Sequence, residues 1–207
     1  MKIIIFGATG SVGKQIVNQA LEQGHRVTAF GRDATKLTEN RHQLLFVQGN
    51  ILDPEAVEKA IEGHDAVLCA IGAGRKGGVR AEGTRNIIAA MEKTGVKRLI
   101  CQSTLGVGDS QTNINAFWKY IMFGFLIRPA FLDHVAQEQH VMQSNLDWTI
   151  VRPGAFIDGV RTGNYRHGFS PTDKTTQLKI SRTDVADFML KQLLGDTYLF
   201  KTPGLSY

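Results

Sequence analysis

The chain has 207 residues, 43% hydrophobic and 21% charged, with a formal net charge of +5, a size and balance that suit one soluble α/β domain with a sizeable core. The charge is compatible with anionic ligands, but the basic residues are scattered and form no stripe interleaved with aromatics, which speaks against nucleic acid. No apolar run reaches the length of a transmembrane helix, and a strand pattern begins at Lys2 where a signal peptide would lie, so the expected location is the cytoplasm.

Residues 2–6 read as a buried strand that runs into Gly7-Ala8-Thr9-Gly10-Ser11-Val12-Gly13. Val12 to Glu22 follows as a helix, with Val12, Ile16, Val17, Ala20 and Leu21 on its apolar face and Gly24 at its end. Arg26 to Phe30 and Leu44 to Gln48 are the next strands. Asp53-Pro54 opens a second helix, Asp53 as N-cap and Pro54 in the first turn. Ala66 to Ala70 is strand four, Val79 to Lys93 a long helix closed by Gly95, and Arg98 to Gln102 strand five. Phe131 to Gln143 reads as helix, Trp148 to Arg152 as strand six, and a last helix follows Ser181 through Leu193. Near-continuous Val/Ile/Leu strands alternating with helices predict a Rossmann-like doubly wound parallel sheet, helices on both faces, in a single domain spanning residues 1–207. Residues 103–130 and 153–180 read as irregular and follow strands five and six, so they are expected to build the substrate region. Cys69 and Cys101 close strands four and five and read as reduced, buried thiols that lie close if those strands are neighbours.

Candidate ligand residues sit at the strand ends. A glycine loop after strand one lets backbone approach a pyrophosphate and aims a helix N-terminus at it. An acid at the end of strand two would bond a ribose 2′-hydroxyl. Here Gly31 and Arg32 stand instead, with Lys36 one turn on, a pairing suited to a 2′-phosphate. NADP(H) is therefore the expected cofactor; the alternatives are a solvated Arg32 with Asp33 merely capping a short helix, and NAD(H) binding through Asp33. Asn50 and Ile51 follow strand three and can bond and wall an adenine, or simply shape a turn. Ala70, Ile71 and Gly72 leave strand four, where small residues admit a cofactor backbone. Arg75, Lys76 and Arg80 beyond them offer charge to phosphates or an anionic substrate, or belong to a solvated loop. Ser103 and Thr104 end strand five and can orient a substrate carbonyl, or cap the strand. Residues 117–127 are aromatic-rich and read as a lid or wall for a flat substrate, an oligomer contact or a membrane-surface patch, or core. His134 shares a helix face with Glu138 and is a candidate proton donor. No cluster has metal-ligand spacing.

With Gly7-Ala8-Thr9-Gly10 and Gly13, Arg32, Gly49-Asn50-Ile51, Val151-Arg152-Pro153-Gly154 and Ile180-Ser181-Arg182-Thr183-Asp184-Val185-Ala186, the chain resembles the atypical short-chain dehydrogenase/reductases along nearly its whole length. It is most similar to the NAD(P)H-binding subgroup of NmrA-like proteins and flavin reductase/biliverdin-IXβ reductase. The resemblance implies an NADP(H) site built from Gly7, Thr9, Gly10, Ser11, Val12, Gly13, Arg32, Lys36, Asn50, Ile51, Gly72 and Pro153, with Ser103 or Thr104 facing the nicotinamide. The chain departs from the family's Tyr-x-x-x-Lys pair: with His134 at the lysine position, Ala130 takes the tyrosine's. Tyr120 is followed four residues later by Gly124 and offers no substitute. Gly154 stands where the flavin-reductase relatives carry a histidine. The expected function is NADPH-dependent reduction of a flavin, quinone or similar flat acceptor, the flavin being substrate rather than tightly bound, by a monomer or homodimer. The alternative is a non-catalytic NAD(P)H-sensing regulator.

Overall fold

The computed structural model describes residues 1–37 and 42–207, the side chain of Lys36 excepted. Every apolar side chain of strand β1 (Lys2–Phe6) is fully buried. Ile3 and Ile5 enter one core, and Ile4 and Phe6 the other. Only a strand covered on both faces can bury successive side chains in this way, which is why its sequence is a continuous apolar run. The strands β2 (Arg26–Gly31), β3 (Leu44–Gln48), β4 (Ala66–Cys69), β5 (Arg98–Gln102) and β6 (Asp147–Pro153) join β1 in parallel. The spatial order is β3-β2-β1-β4-β5-β6, extended beyond β6 by short strands near the C-terminus. The order reverses between β1 and β4, and ligands bind such sheets at that switch, outside the strands' carboxyl ends.

Helices α1 (Ser11–Glu22) and α5 (Arg182–Lys191) pack together against one face. Helices α2 (Pro54–Ile61), α3 (Arg80–Thr94) and α4 (Arg128–Gln143) pack side by side against the other. The expected caps are present. Asp53 Oδ1 accepts from Glu55 N at 3.1 Å and Ala56 N at 3.2 Å, and Ser181 Oγ accepts from Asp184 N at 3.1 Å. Cys69 and Cys101 stand directly opposite each other on β4 and β5, buried and unbridged.

Two segments read as irregular carry regular structure. Within 103–130 lie a 3-10 turn at Gly108–Thr112 and a π-helix at Phe117–Leu126. Helix α4 also starts three residues before the expected Phe131, with Pro129 in its first turn. Within 153–180, β7 (Ala155–Ile157) pairs in parallel with β9 (Lys179–Ser181). Strand β8 (Arg166–His167) runs antiparallel to β10 (Gly204–Ser206), which itself lies parallel to β6. Strands of two or three residues offer no periodicity to read, and a π-helix breaks the 3.6-residue pattern.

Candidate active site

The glycine loop has no room for side chains. Gly7 has φ +81, and a Cβ there would lie 2.3 Å from the carbonyl oxygen of Ala70. A Cβ at Gly13 would lie 2.0 Å from the Gly7 carbonyl, so α1 seats its first turn directly on the loop. Gly10 N donates to Gly7 O at 2.9 Å and closes the turn. No side chain caps α1, and its first turn carries no acid. Its N-terminal N–H groups and positive dipole end therefore favour a phosphate. Thr9, Gly10, Ser11 and Val12 all lie on this cradle, and Ala70 and Ile71 back it just past the end of β4, with Gly72 exposed just beyond. These residues fit a dinucleotide.

At the end of β2, Arg32 is exposed, while the Asp33 carboxylate accepts from Thr35 N at 3.0 Å and Thr35 Oγ1 at 2.6 Å. Asp33 thus caps the 3-10 turn Ala34–Lys36. The Lys36 side chain lies outside the described residues. Asn50 takes the turn-shaping role, its Oδ1 accepting from Leu52 N at 3.1 Å. Ile51 leans on α3, where a Cβ at Gly83 would come within 3.0 Å of it.

At the carboxyl ends of β5 and β6 opens a cavity of about 160 Å³. Trp118, Phe123 and Ile127 of the aromatic segment line it, with Phe156 and Leu178 among the residues facing them. Phe123 stacks on Phe131 with centroids 4.7 Å apart. Tyr120, Ile121, Phe125 and Leu126 are exposed instead. The aromatic stretch is therefore divided, one face walling the cavity and the other open to solvent.

Ser103 is 1% exposed, and its Oγ has no partner. Its N–H donates to Val151 O at 2.8 Å, which fixes the hydroxyl at the floor. Thr104 Oγ1 donates to Leu105 O at 3.3 Å. Pro153 lines the same cavity. His134 reaches it from α4, also with an unpartnered Nδ1. Burial first, and the Arg80 cation second, push the His134 pKa down to about 3. The ring is neutral at neutral pH, which corrects the expectation of a proton donor titrating there: it can offer an N–H hydrogen bond but holds no spare proton.

Of the two readings offered for Arg80, the solvated loop does not hold: the residue is buried at the start of α3 and lines the cavity. Two further features escape a reading of the chain alone. Gln102, the last residue of β5, also presents an unpartnered Oε1 there. Fully buried Arg152 donates to Glu138 through Nε at 3.0 Å and Nη2 at 2.6 Å, and through Nη1 to Asp109. Burial works to lower the Arg152 pKa, but the bonds to Glu138, backed by Asp109, outweigh it and raise it. This bidentate pair ties α4, and with it His134, to β6. The Glu138 half was visible as an acid one turn from His134; its partner lies 14 residues away in sequence. At Gly154, a Cβ would lie 2.6 Å from the Leu178 backbone, so the absent histidine has no space. Ala130 and His134 line one adjoining cavity together, and Tyr120 lies on an outer groove.

A glycine cradle under an uncapped helix, at the switch point of a doubly wound sheet, defines a dinucleotide-binding fold. The chain matches the family described as NAD(P)H-binding over residues 7–196 and belongs to it. It is 28% identical over 215 aligned positions to the photosystem II assembly factor Ycf39 of Synechocystis, covering 98% of this chain and 61% of that protein. The chain thus spans less than two thirds of that factor's length. Among solved structures it resembles ChuY of Escherichia coli, described as an anaerobillin reductase, with a TM-score of 0.83 at 24% identity over 100% of this chain and 97% of the other. A Veillonella parvula short-chain dehydrogenase/reductase solved with NADP gives 0.84 at 17% identity, over 100% and 94%. Among the described residues no helix is long and apolar enough to cross a membrane.

Proposed function

We propose that this chain is an NADPH-dependent reductase of a flavin, quinone or similar flat acceptor. The observation that carries the reading is the cavity at the ends of β5 and β6, on the same sheet edge as the glycine cradle. Its walls are aromatic, and its floor holds unpartnered polar atoms on Ser103 and His134. Such a site suits a flat apolar molecule oriented by a few polar contacts. Residues 103–130 and 153–180 form its substrate side. NADPH, when bound, supplies the hydride. Ser103 then donates a hydrogen bond to an acceptor oxygen or nitrogen, and neutral His134 adds a second from α4. The proton comes from water, since the Tyr-Lys pair is absent. Reduction of a flat conjugated acceptor depends more on stacking and orientation than on a dedicated acid. Arg32, with Lys36 one turn on, holds the cofactor's 2′-phosphate and supports NADP(H) over NAD(H).

The test is NADPH consumption by the purified chain with FMN, FAD and a short-chain quinone. Saturable turnover with at least one acceptor is expected. Rates no higher than without protein, for every acceptor, sink the reading. In that case the exposed apolar face of Tyr120, Ile121, Phe125 and Leu126 favours the second reading, a cofactor-sensing binding protein whose partner docks there.

A further inference from the structure

Among the described residues, Arg80 is the one Lys or Arg that lines the cavity. It is 9% exposed, and its Nε and Nη1 have no hydrogen-bond partner. The nearest carboxylate, Asp133, lies 3.6 Å from Nη1, beyond hydrogen-bonding distance. Asp133 is engaged elsewhere: its two oxygens accept from the backbone N–H groups of Arg80 and Ala81, each at 3.0 Å. The guanidinium is thus buried and only partly neutralised, an arrangement that is expensive unless something completes it. Burial accordingly pulls its pKa down, with Asp133 pulling the other way. Arg80 also lines the adjoining cavity, with Arg75, Thr104 and His134 among the residues there. Gln102, Ser103 and His134, each with an unpartnered polar side-chain atom, line the first of these spaces, and His134 lines both.

We propose that Arg80 is an anion receptor, and that the molecule bound in this cavity carries a carboxylate on a flat apolar body. The carboxylate replaces the missing partners of the guanidinium, and the body lies between Trp118, Phe123 and Phe156. The proposal rests on the reductase reading only in calling the occupant an acceptor.

Binding of 2-naphthoate and of its neutral counterpart 2-naphthamide is measured calorimetrically with saturating NADP⁺ present. Wild type is expected to bind the carboxylate about tenfold or more tightly than the amide, the scale of a hydrogen-bonded charge in a dry site. Arg80→Met brings the ratio near one and leaves amide and NADP⁺ affinities unchanged. Arg75→Gln, at an exposed arginine that lines the adjoining cavity but not this one, keeps the preference. A wild-type ratio near one overturns the proposal, as does a preference that survives Arg80→Met or disappears with Arg75→Gln. Tighter binding of 2-naphthyl phosphate than of 2-naphthoate overturns the assignment to a carboxylate. If Arg80→Met does not fold, the wild-type ratio and the Arg75→Gln result decide the matter. Carboxylate preference without NADPH turnover sinks the reductase reading alone; turnover without that preference sinks this proposal alone.

Discussion

Arg32 and Asp33 are neighbours with opposite charges at the end of β2, and the choice of cofactor turns on which of them faces the ribose. The Asp33 carboxylate is bonded to Thr35 N and Oγ1, whereas Arg32 projects into solvent. A carboxylate used as a cap is a poor receptor for a ribose diol, and a guanidinium suits a phosphate. Arg32→Glu is therefore expected to weaken NADPH binding about tenfold or more while changing NADH binding less than about threefold, since it removes one charge-assisted contact. Fluorescence titration of both cofactors checks this; equal affinities in wild type and variant show that the 2′-phosphate is read elsewhere. His134 belongs to this scale too. Its position on the cavity follows from the helix face it shares with Glu138, but its protonation state follows from burial and from Arg80, which lies 54 positions earlier in the chain.

Helix α3 lacks a cap of its own. Val79 occupies the N-cap position and offers no side-chain acceptor, so the first N–H groups depend on Asp133 of α4. One carboxylate thus locks two helices together and sets Arg80 at the cavity wall. Close contact at Gly77, where a Cβ would lie 2.6 Å from the Pro129 carbonyl, presses the same helix ends together. Asp133→Ala is expected to cost about 1–2 kcal/mol, the worth of a lost cap. That lowers the thermal midpoint by about 2–8 °C for a chain of this size. Circular dichroism melting measures the shift, and an unchanged midpoint means that α3 is held by its packing alone. The π-helix is a second element-scale device. By turning Trp118 and Phe123 inward it builds a wall that α-helical spacing would distribute differently.

Across the whole molecule, Asp184 gathers chain segments that are distant in sequence. Its carboxylate accepts from Thr162 N at 2.8 Å, Gly163 N at 2.9 Å and Tyr207 Oη at 2.6 Å, while Ser181 Oγ lies at 3.1 Å. The first turn of α5, the loop after β7 and the residue after β10 meet there. Burial works to raise the Asp184 pKa, and the bonds from Tyr207, Gly163 and Thr162 outweigh it and hold the pKa below the usual carboxylate range. A folded pKa below the unfolded one adds stability above the unfolded value, and that stability is lost as pH falls through the folded value. Wild type should therefore lose thermal stability steeply as pH drops from about 5 toward 2, the interval over which a depressed carboxylate is protonated. Asp184→Asn should melt lower at neutral pH and show a flatter acid limb. Parallel acid limbs in a series of melts at stepped pH would mean that other carboxylates carry the acid sensitivity.

Much of this architecture was legible in the chain itself. Strands β1, β3 and β5 run between the expected residues, and the Asp53 and Ser181 caps stand where expected, because buried parallel strands and helix N-termini are local problems with few chemical solutions. The glycine loop was legible for the same reason: Gly7 and Gly13 are excluded from being anything else by backbone atoms at 2.3 and 2.0 Å. The polar chemistry of the cavity was not. Asp133 is held by backbone 53 residues away and Glu138 by Arg152 on another element, so neither pairing leaves a periodic or local signature. By itself the sequence determined the doubly wound sheet and the dinucleotide cradle, because both follow from local hydrophobic and steric demands. Only the tertiary structure decided that His134 is neutral, that Gly154 has no space for a side chain, and that Arg80 is a buried cation facing a cavity. Burial, and the partners that compensate it, are properties of packing among distant segments.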